Sequence, residues 1–196
     1  IGKNCFKNCN KLIQIDIPKG LKIDKVKKGT FSYSTIRKIF IPKNVKKINK
    51  FAFEKCYFLI EIEFEENSQL DLIGQRSFQY SSLKKIVIPK QTRVIQSCAF
   101  QYCNSLESVL FEKYSKIEII EMSAFEKSGV QKITLPKSVI KIGKNAFSNT
   151  VVEYPDNIKL KKINRFSINF NSGKKFEIPE NIEKFGLDWN TDISNT

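Results

Sequence analysis

Apolar and polar positions along this chain fall into one unit that recurs with small changes. Where the unit is clearest, Leu83-x-x-Ile86-x-Ile88 alternates apolar with other residues, the period-two mark of a strand with one buried face. Pro89 follows, removes a backbone donor and ends the ladder. Val94-Ile95 brings apolar side chains back, and Ala99-Phe100 sets a small residue beside a large aromatic. The turn Gln101-Tyr102-Cys103-Asn104 then leads into the next strand at Leu106. Equivalent strands are predicted at Leu12–Ile17, Ile36–Ile41, Leu59–Phe64, Leu106–Phe111 and Val130–Leu135. A reduced strand follows at Val151–Tyr154, and the last clear one is Phe176-Glu177-Ile178. No segment suits a regular helix of about 11 residues, so 3-10 turns or single helical turns are predicted on the return side.

Two markers keep time along the chain. Phe6, Phe31, Phe53, Phe78, Phe100, Phe125 and Phe147 follow at steps of 25, 22, 25, 22, 25 and 22. Ile-Pro-like pairs stand at Ile17-Pro18, Ile41-Pro42, Ile88-Pro89, Leu135-Pro136, Tyr154-Pro155 and Ile178-Pro179, with Phe64-Glu65 and Phe111-Glu112 in the gaps. A fixed period in the twenties marks a solenoid, whose units are too small to bury an apolar face alone. The repeat predicts about eight stacked coils over residues 1–180, and an irregular cap or the start of a further coil at 181–196. Phe185, Leu187 and Trp189 read as apolar plugs over the open end. The 22/25 alternation implies paired coils, an Ile-Pro coil beside a Phe-Glu coil.

Composition changes this picture little. Hydrophobic residues make up 41% and charged residues 28%, which is too apolar for disorder. No stretch approaches the roughly 18 uncharged apolar residues of a membrane span. The chain opens in mid-coil, since Ile1-Gly2 matches Ile73-Gly74 and Ile142-Gly143, so it reads as a fragment with any signal or anchor outside it. Net charge is +14, with 34 Lys and Arg against 20 Asp and Glu. That surplus accompanies a general richness in Lys, Asn, Ile and Phe and reads first as biased residue usage; the other reading is a site for a polyanion, sulfated glycan or nucleic acid. Scarce Arg favours the first, because bidentate phosphate recognition favours Arg.

Cys9, Cys56 and Cys103 each lie three residues after a marker Phe, where the intervening coils place Ser34, Ser81, Ser128 and Thr150. This column predicts buried thiols and hydroxyls that satisfy turn backbone groups. Sulfurs two strand spacings apart, ~10 Å, are too far for a disulfide. Zinc would need paired ligands, which neither these residues nor Cys5 and Cys98 supply.

Catalytic chemistry is thin. The chain has no histidine, which removes Ser-His-Asp and Cys-His catalysis and His-ligated metals. Its eight glycines form no phosphate loop. No catalytic, cofactor-binding or metal-binding residue is assigned, and no small-molecule substrate is expected. The acidic run Glu61, Glu63, Glu65 and Glu66 reads as charge pairing across coils, because Lys38, Glu61 and Lys85 share one strand position in successive coils.

Stacked strands would line one broad face, the usual binding surface of solenoids. One outer column reads Asp16, Phe40, Glu63, Val87, Leu110, Thr134, Glu153 and Glu177; beside it run Gln14, Lys38, Glu61, Lys85, Ser108 and Lys132. Phe40, Val87 and Leu110 are apolar where water is expected, and lysines ring them. An apolar centre with a charged rim is the composition of a protein interface. The candidate partner-binding residues are therefore Lys38, Phe40, Glu61, Glu63, Lys85, Val87, Leu110 and Lys132.

The pattern L-x-x-I-x-I-P followed by V-x-x-I-G-x-x-A-F-x-x-C resembles the BspA-like group of leucine-rich repeats. It is clearest from Val130 to Pro136 and from Val139 to Phe147, and it extends over roughly residues 1–180. Phe64-Glu65 and Phe111-Glu112 in place of Ile-Pro, and Phe166-Ser167-Ile168 in place of Ala-Phe, depart from it. The resemblance implies a leucine-rich repeat right-handed coil with a parallel β-sheet on one face and short 3-10 or irregular returns. It also implies a non-enzymatic protein, secreted or at the cell surface, that adheres to host proteins, extracellular matrix or other cells. The lysine surplus, separately, makes an acidic glycan a further expected partner. No residue-level site transfers with it.

Overall fold

The computed structural model describes residues 2–18, 20–148, 150–164, 167 and 182–185. Its strands wind as a parallel solenoid without a helix among the described residues. Each coil contributes one strand to a front face, β1 (Gln14–Ile15), β3 (Lys38–Ile41), β5 (Glu61–Phe64), β7 (Lys85–Ile88), β9 (Ser108–Phe111), β11 (Lys132–Thr134) and β13 (Val151–Glu153). Ile39, Ile62, Ile86, Val109 and Ile133 point inward from these strands and are buried. Their neighbours alternate outward, as the period of two requires.

The return segments are extended where 3-10 or helical turns are predicted. Eight two-residue strands form one continuous parallel sheet: β2 (Lys25–Val26), β4 (Lys47–Ile48), β6 (Leu72–Ile73), β8 (Val94–Ile95), β10 (Ile119–Ile120), β12 (Lys141–Ile142), β14 (Lys162–Ile163) and β15 (Lys184–Phe185). Val26, Ile48, Ile73, Ile95, Ile120, Ile142 and Ile163 are stacked in register and buried. One inward β-branched residue per coil fills the space opposite the front strands, and branching at Cβ suits extended backbone. The return ladder reaches Phe185, in register with Ile163. The sequence readings at Phe176–Pro179, Leu187 and Trp189 lie outside the described residues.

The marker phenylalanines form the third wall. From Phe6 to Phe147 successive rings stack at centroid distances of 5.1 to 5.4 Å and interplanar angles of 4° to 9°. Two left-handed residues flank each ring in the inner coils: Phe51 and Lys55 around Phe53, Cys98 and Tyr102 around Phe100, Ser123 and Lys127 around Phe125. Left-handed backbone costs a non-glycine residue about 1 kcal/mol or more. The geometry is compensated by aiming every second amide at the next coil. Phe51, Phe53 and Lys55 N–H donate to the carbonyls of Gln75, Ser77 and Gln79 at 2.7 to 2.9 Å.

Coil pairing has a side-chain cause. Pro42 and Pro89 end their strands and leave the amides of Lys43 and Lys90 without a ladder partner. Lys43 N–H donates to Glu65 Oε2 and Lys90 N–H to Glu112 Oε2, both at 2.9 Å. The Phe-Glu coil thus clamps the Ile-Pro coil before it. The front sheet divides after each clamped pair, into β1-β3-β5, β7-β9 and β11-β13; β1 and the β11-β13 pair join their neighbours without a glutamate of this kind. Glu112→Ala is expected to lose about 1–2 kcal/mol in urea unfolding, the usual cost of stranding a donor from a charged acceptor. Exposed Glu66→Ala should change stability by under about 0.5 kcal/mol; equal losses would refute the clamp.

Candidate functional site

The front face is built from outward positions of the seven front strands. Lys38 on β3 lies opposite Glu61 on β5, with Lys38 Nζ 2.5 Å from Glu61 Oε2. Hydrogen bonding and charge across this pair raise the Lys38 ammonium and lower the Glu61 carboxyl from their ordinary values. Lys85 also draws Glu61 down, so Glu61 feels both lysines of the expected charge column. Lys132 Nζ pairs with Glu153 Oε1 at 2.8 Å, while Thr134 donates to Glu153 Oε2 at 3.0 Å. Exposed pairs of this kind set register more than stability.

The apolar members separate into two groups. Val87 and Leu110 are directly opposed on β7 and β9, 43% and 57% exposed. Phe40 is half-buried on β3 and lies opposite Glu63, so a carboxylate strand stands between it and Val87. Lys85 lies opposite Ser108 beside the Val87–Leu110 pair. The geometry thus joins Lys85, Val87 and Leu110, with Lys132 one coil on, and sets Lys38, Phe40, Glu61 and Glu63 in a neighbouring cluster.

Open grooves follow the divisions of the front sheet. One of about 780 Å³ is lined by Glu61, Glu63 and Phe64 on one side and Lys85, Val87 and Glu112 on the other. A second, of about 810 Å³, runs from Leu110, Phe111 and Tyr114 to Lys132, Thr134 and Glu153. Tyr114, 80% exposed, was not among the sequence candidates. The signal for it is spacing: Val109 to Ile120 is two residues longer than Ile86 to Ile95, and Tyr114 stands in that longer link. A row of tyrosines and lysines on the turn edge also escaped sequence reasoning. Tyr80 stacks on Tyr102 at 4.7 Å, Lys55 lies 5.0 Å from the Tyr33 ring, and Lys127 lies 5.1 Å from the Tyr102 ring.

Cys56, Cys103 and Thr150 carry out the predicted structural task, whereas Ser128 Oγ in the same column is buried without a hydrogen-bond partner. Cys56 Sγ–H donates to the Phe31 carbonyl and Cys103 Sγ–H to the Phe78 carbonyl, each at 3.0 Å. With those thiol protons committed, Ser34 and Ser81 hydroxyls donate to the sulfurs at 3.7 and 3.4 Å. All five cysteines are free thiols. Burial pushes the Cys56 and Cys103 thiols up to about 11, against the weaker lowering by the serine hydrogen bonds. Among the described residues no group of three His, Cys, Asp or Glu could hold a metal ion, and no helix is long and apolar enough to cross a membrane.

A parallel solenoid with a solvated front face, grooves at its divisions and a stacked aromatic wall defines a repeat scaffold. The chain belongs to the BspA type leucine rich repeat family, whose pattern matches in six copies over residues 1–107 and 71–192. Among solved structures, the pneumococcal vaccine antigen PcpA is 30% identical with a TM-score of 0.61, covering 76% of this chain and 46% of its own. A leucine-rich repeat protein from Bacteroides ovatus is 24% identical with a TM-score of 0.54, covering 83% and 57%, and bears on the fold alone. The chain therefore spans about half the length of these relatives, 46% and 57%. No curated protein matches the sequence.

Proposed function

We propose that this chain is a non-catalytic module that docks a protein partner on its front strand face, in adhesion at a cell surface or among secreted proteins. The observation that carries this reading is the opposed Val87–Leu110 pair, exposed between two grooves and flanked by Lys85 and Lys132. Apolar side chains surrounded by a charged rim are the arrangement that stabilises protein interfaces. Phe40 with Lys38, Glu61 and Glu63 supplies a second, more polar contact on the same face. The surface location and the adhesive role rest on the family and on a relative named as a vaccine antigen.

The test is binding of the chain to immobilised extracellular-matrix and host-surface proteins by biolayer interferometry. Leu110→Asp should leave the thermal unfolding midpoint nearly unchanged, because the side chain is exposed. It should weaken the partner by about 30-fold or more, the effect of losing a central interface residue. Phe40→Asp should weaken it less. Unchanged affinity in both variants would remove the front face as the docking surface.

A further inference from the structure

The positive charge of this chain is concentrated. Residues 1–51 hold fourteen Lys and Arg against two Asp, a net +12 of the chain's +14. Residues 52–126 hold eight against eleven Asp and Glu and are net acidic. Residue usage biased along the whole chain would not produce that division, and charge asymmetry of this kind points to an acidic partner.

The return sheet gathers much of this charge on one surface. Lys25 and Lys47 are direct ladder neighbours on β2 and β4, a like-charge pairing that is unfavourable in a sheet. Folding does not require it, since the same column holds Leu72, Val94 and Ile119 in the next three coils; lysine returns only beyond them, at the Lys141–Lys162 neighbours. Lys28 and Lys50 approach one ring from two coils, their Nζ atoms 5.8 and 5.9 Å from the Phe51 centroid. Phe51 itself holds left-handed backbone at φ 63°, an uncommon setting for a bulky side chain. Lys27 and Lys46 complete the patch. The carboxylates nearby are Asp24, 3.1 Å from Lys25, and Asp71, which Arg93 holds at 3.0 Å. Between residues 22 and 50 the six lysines thus share one carboxylate, the engaged Asp24.

We propose that the return face around Lys25, Lys27, Lys28, Lys46, Lys47 and Lys50 binds a linear sulfated polysaccharide. Coils spaced by one strand separation set a second row of ammonium groups ~5 Å from the first, and a chain of sulfates relieves the repulsion between them. Nucleic acid fits less well. The patch offers no Arg for bidentate phosphate contacts, and its one aromatic ring is approached by two ammonium groups rather than left open for base stacking. This surface is separate from the front face, so either reading can fail without the other.

Heparin is the probe, with single-stranded DNA as the competing polyanion. Affinity is measured between about 0.05 and 0.3 M salt for wild type and for two triple variants with the same charge loss. Lys25→Gln/Lys47→Gln/Lys50→Gln should lose about tenfold or more at physiological salt and lower the slope of log K against log salt by about 2. Lys90→Gln/Lys113→Gln/Lys116→Gln, in the acidic middle, should stay within about twofold of wild type. The first triple should also unfold at the same or a higher temperature, since like charges are removed. Equal losses in the two triples, or no heparin binding at the lowest salt, would overturn the site. DNA binding as tight as heparin would overturn the ligand class.

Discussion

Phe100→Ala should destabilise the chain by about 3–5 kcal/mol, the cost of emptying a large aromatic site in a packed core. Phe100 is fully buried between Phe78 and Phe125, at ring centroids of 5.2 and 5.1 Å. The change removes two ring contacts at once, each worth about 0.5–1.5 kcal/mol beyond the area buried. Nearest-neighbour coupling in a solenoid adds a second consequence, because a weakened middle coil divides the stack. Urea unfolding followed by circular dichroism should show a lower midpoint and a shallower transition. Phe6→Ala should cost less, since Phe6 stacks on Phe31 alone and is only partly buried. A loss below about 1 kcal/mol for Phe100→Ala would mean that the ring is not a core wedge.

Alkali should unfold this protein through its two buried thiols. Burial raises Cys56 and Cys103 from 9.0 to about 11, so the folded chain keeps protons that the unfolded chain releases. Their contribution is therefore complete below pH 9 and is lost as pH rises towards 11. At pH 10.5 linkage gives a loss of about 2 kcal/mol for each thiol, on the order of 4 for the pair. Cys56→Ser/Cys103→Ser supplies the comparison, because serine occupies the same column at Ser34 and Ser81. Lysine and tyrosine titrations are common to both proteins and cancel in the difference. The urea midpoint of wild type should fall more than that of the double variant between pH 8 and 10.5. Parallel pH dependences would refute the thiol origin.

The parts of the fold that were legible in sequence are those one coil states by itself. Phe100 and Ile86 announce burial through size and period, and the Cys103 position announces a turn hydrogen bond through its alternation with Ser81. The return ladder was not legible, because a segment such as Lys47-Ile48 has one inward residue and no period to read. Left-handed backbone at Phe51 was hidden for a different reason. Its column reads Asn4, Gly29, Phe51, Arg76, Cys98, Ser123 and Asn145, so Gly or Asn marks the left-handed position in only three coils.

Pairing of coils was visible as the 22/25 step, but its cause was not. Glu65 read as part of an acidic run, whereas its carboxylate reaches the Lys43 amide 22 residues away. The candidate front face was legible as a column of outward residues, and Lys38–Glu61 pair as the spacing implies. The intervening Glu63, which separates Phe40 from Val87, stood in that same column, and the register sets it opposite Phe40.

Two Ile-Pro coils are each clamped by the Phe-Glu coil that follows, through Glu65 and Glu112. Amide hydrogen exchange at Lys43 and Lys90 tests this clamping most directly, since each amide follows a proline and has a glutamate side chain as its acceptor. Both amides should be protected in the wild-type chain. Glu65→Ala should release Lys43 alone, and Glu112→Ala should release Lys90 alone, with Phe53 and Phe100 amides still slow. Fast exchange at both amides in wild type, or no change in the variants, would contradict the account.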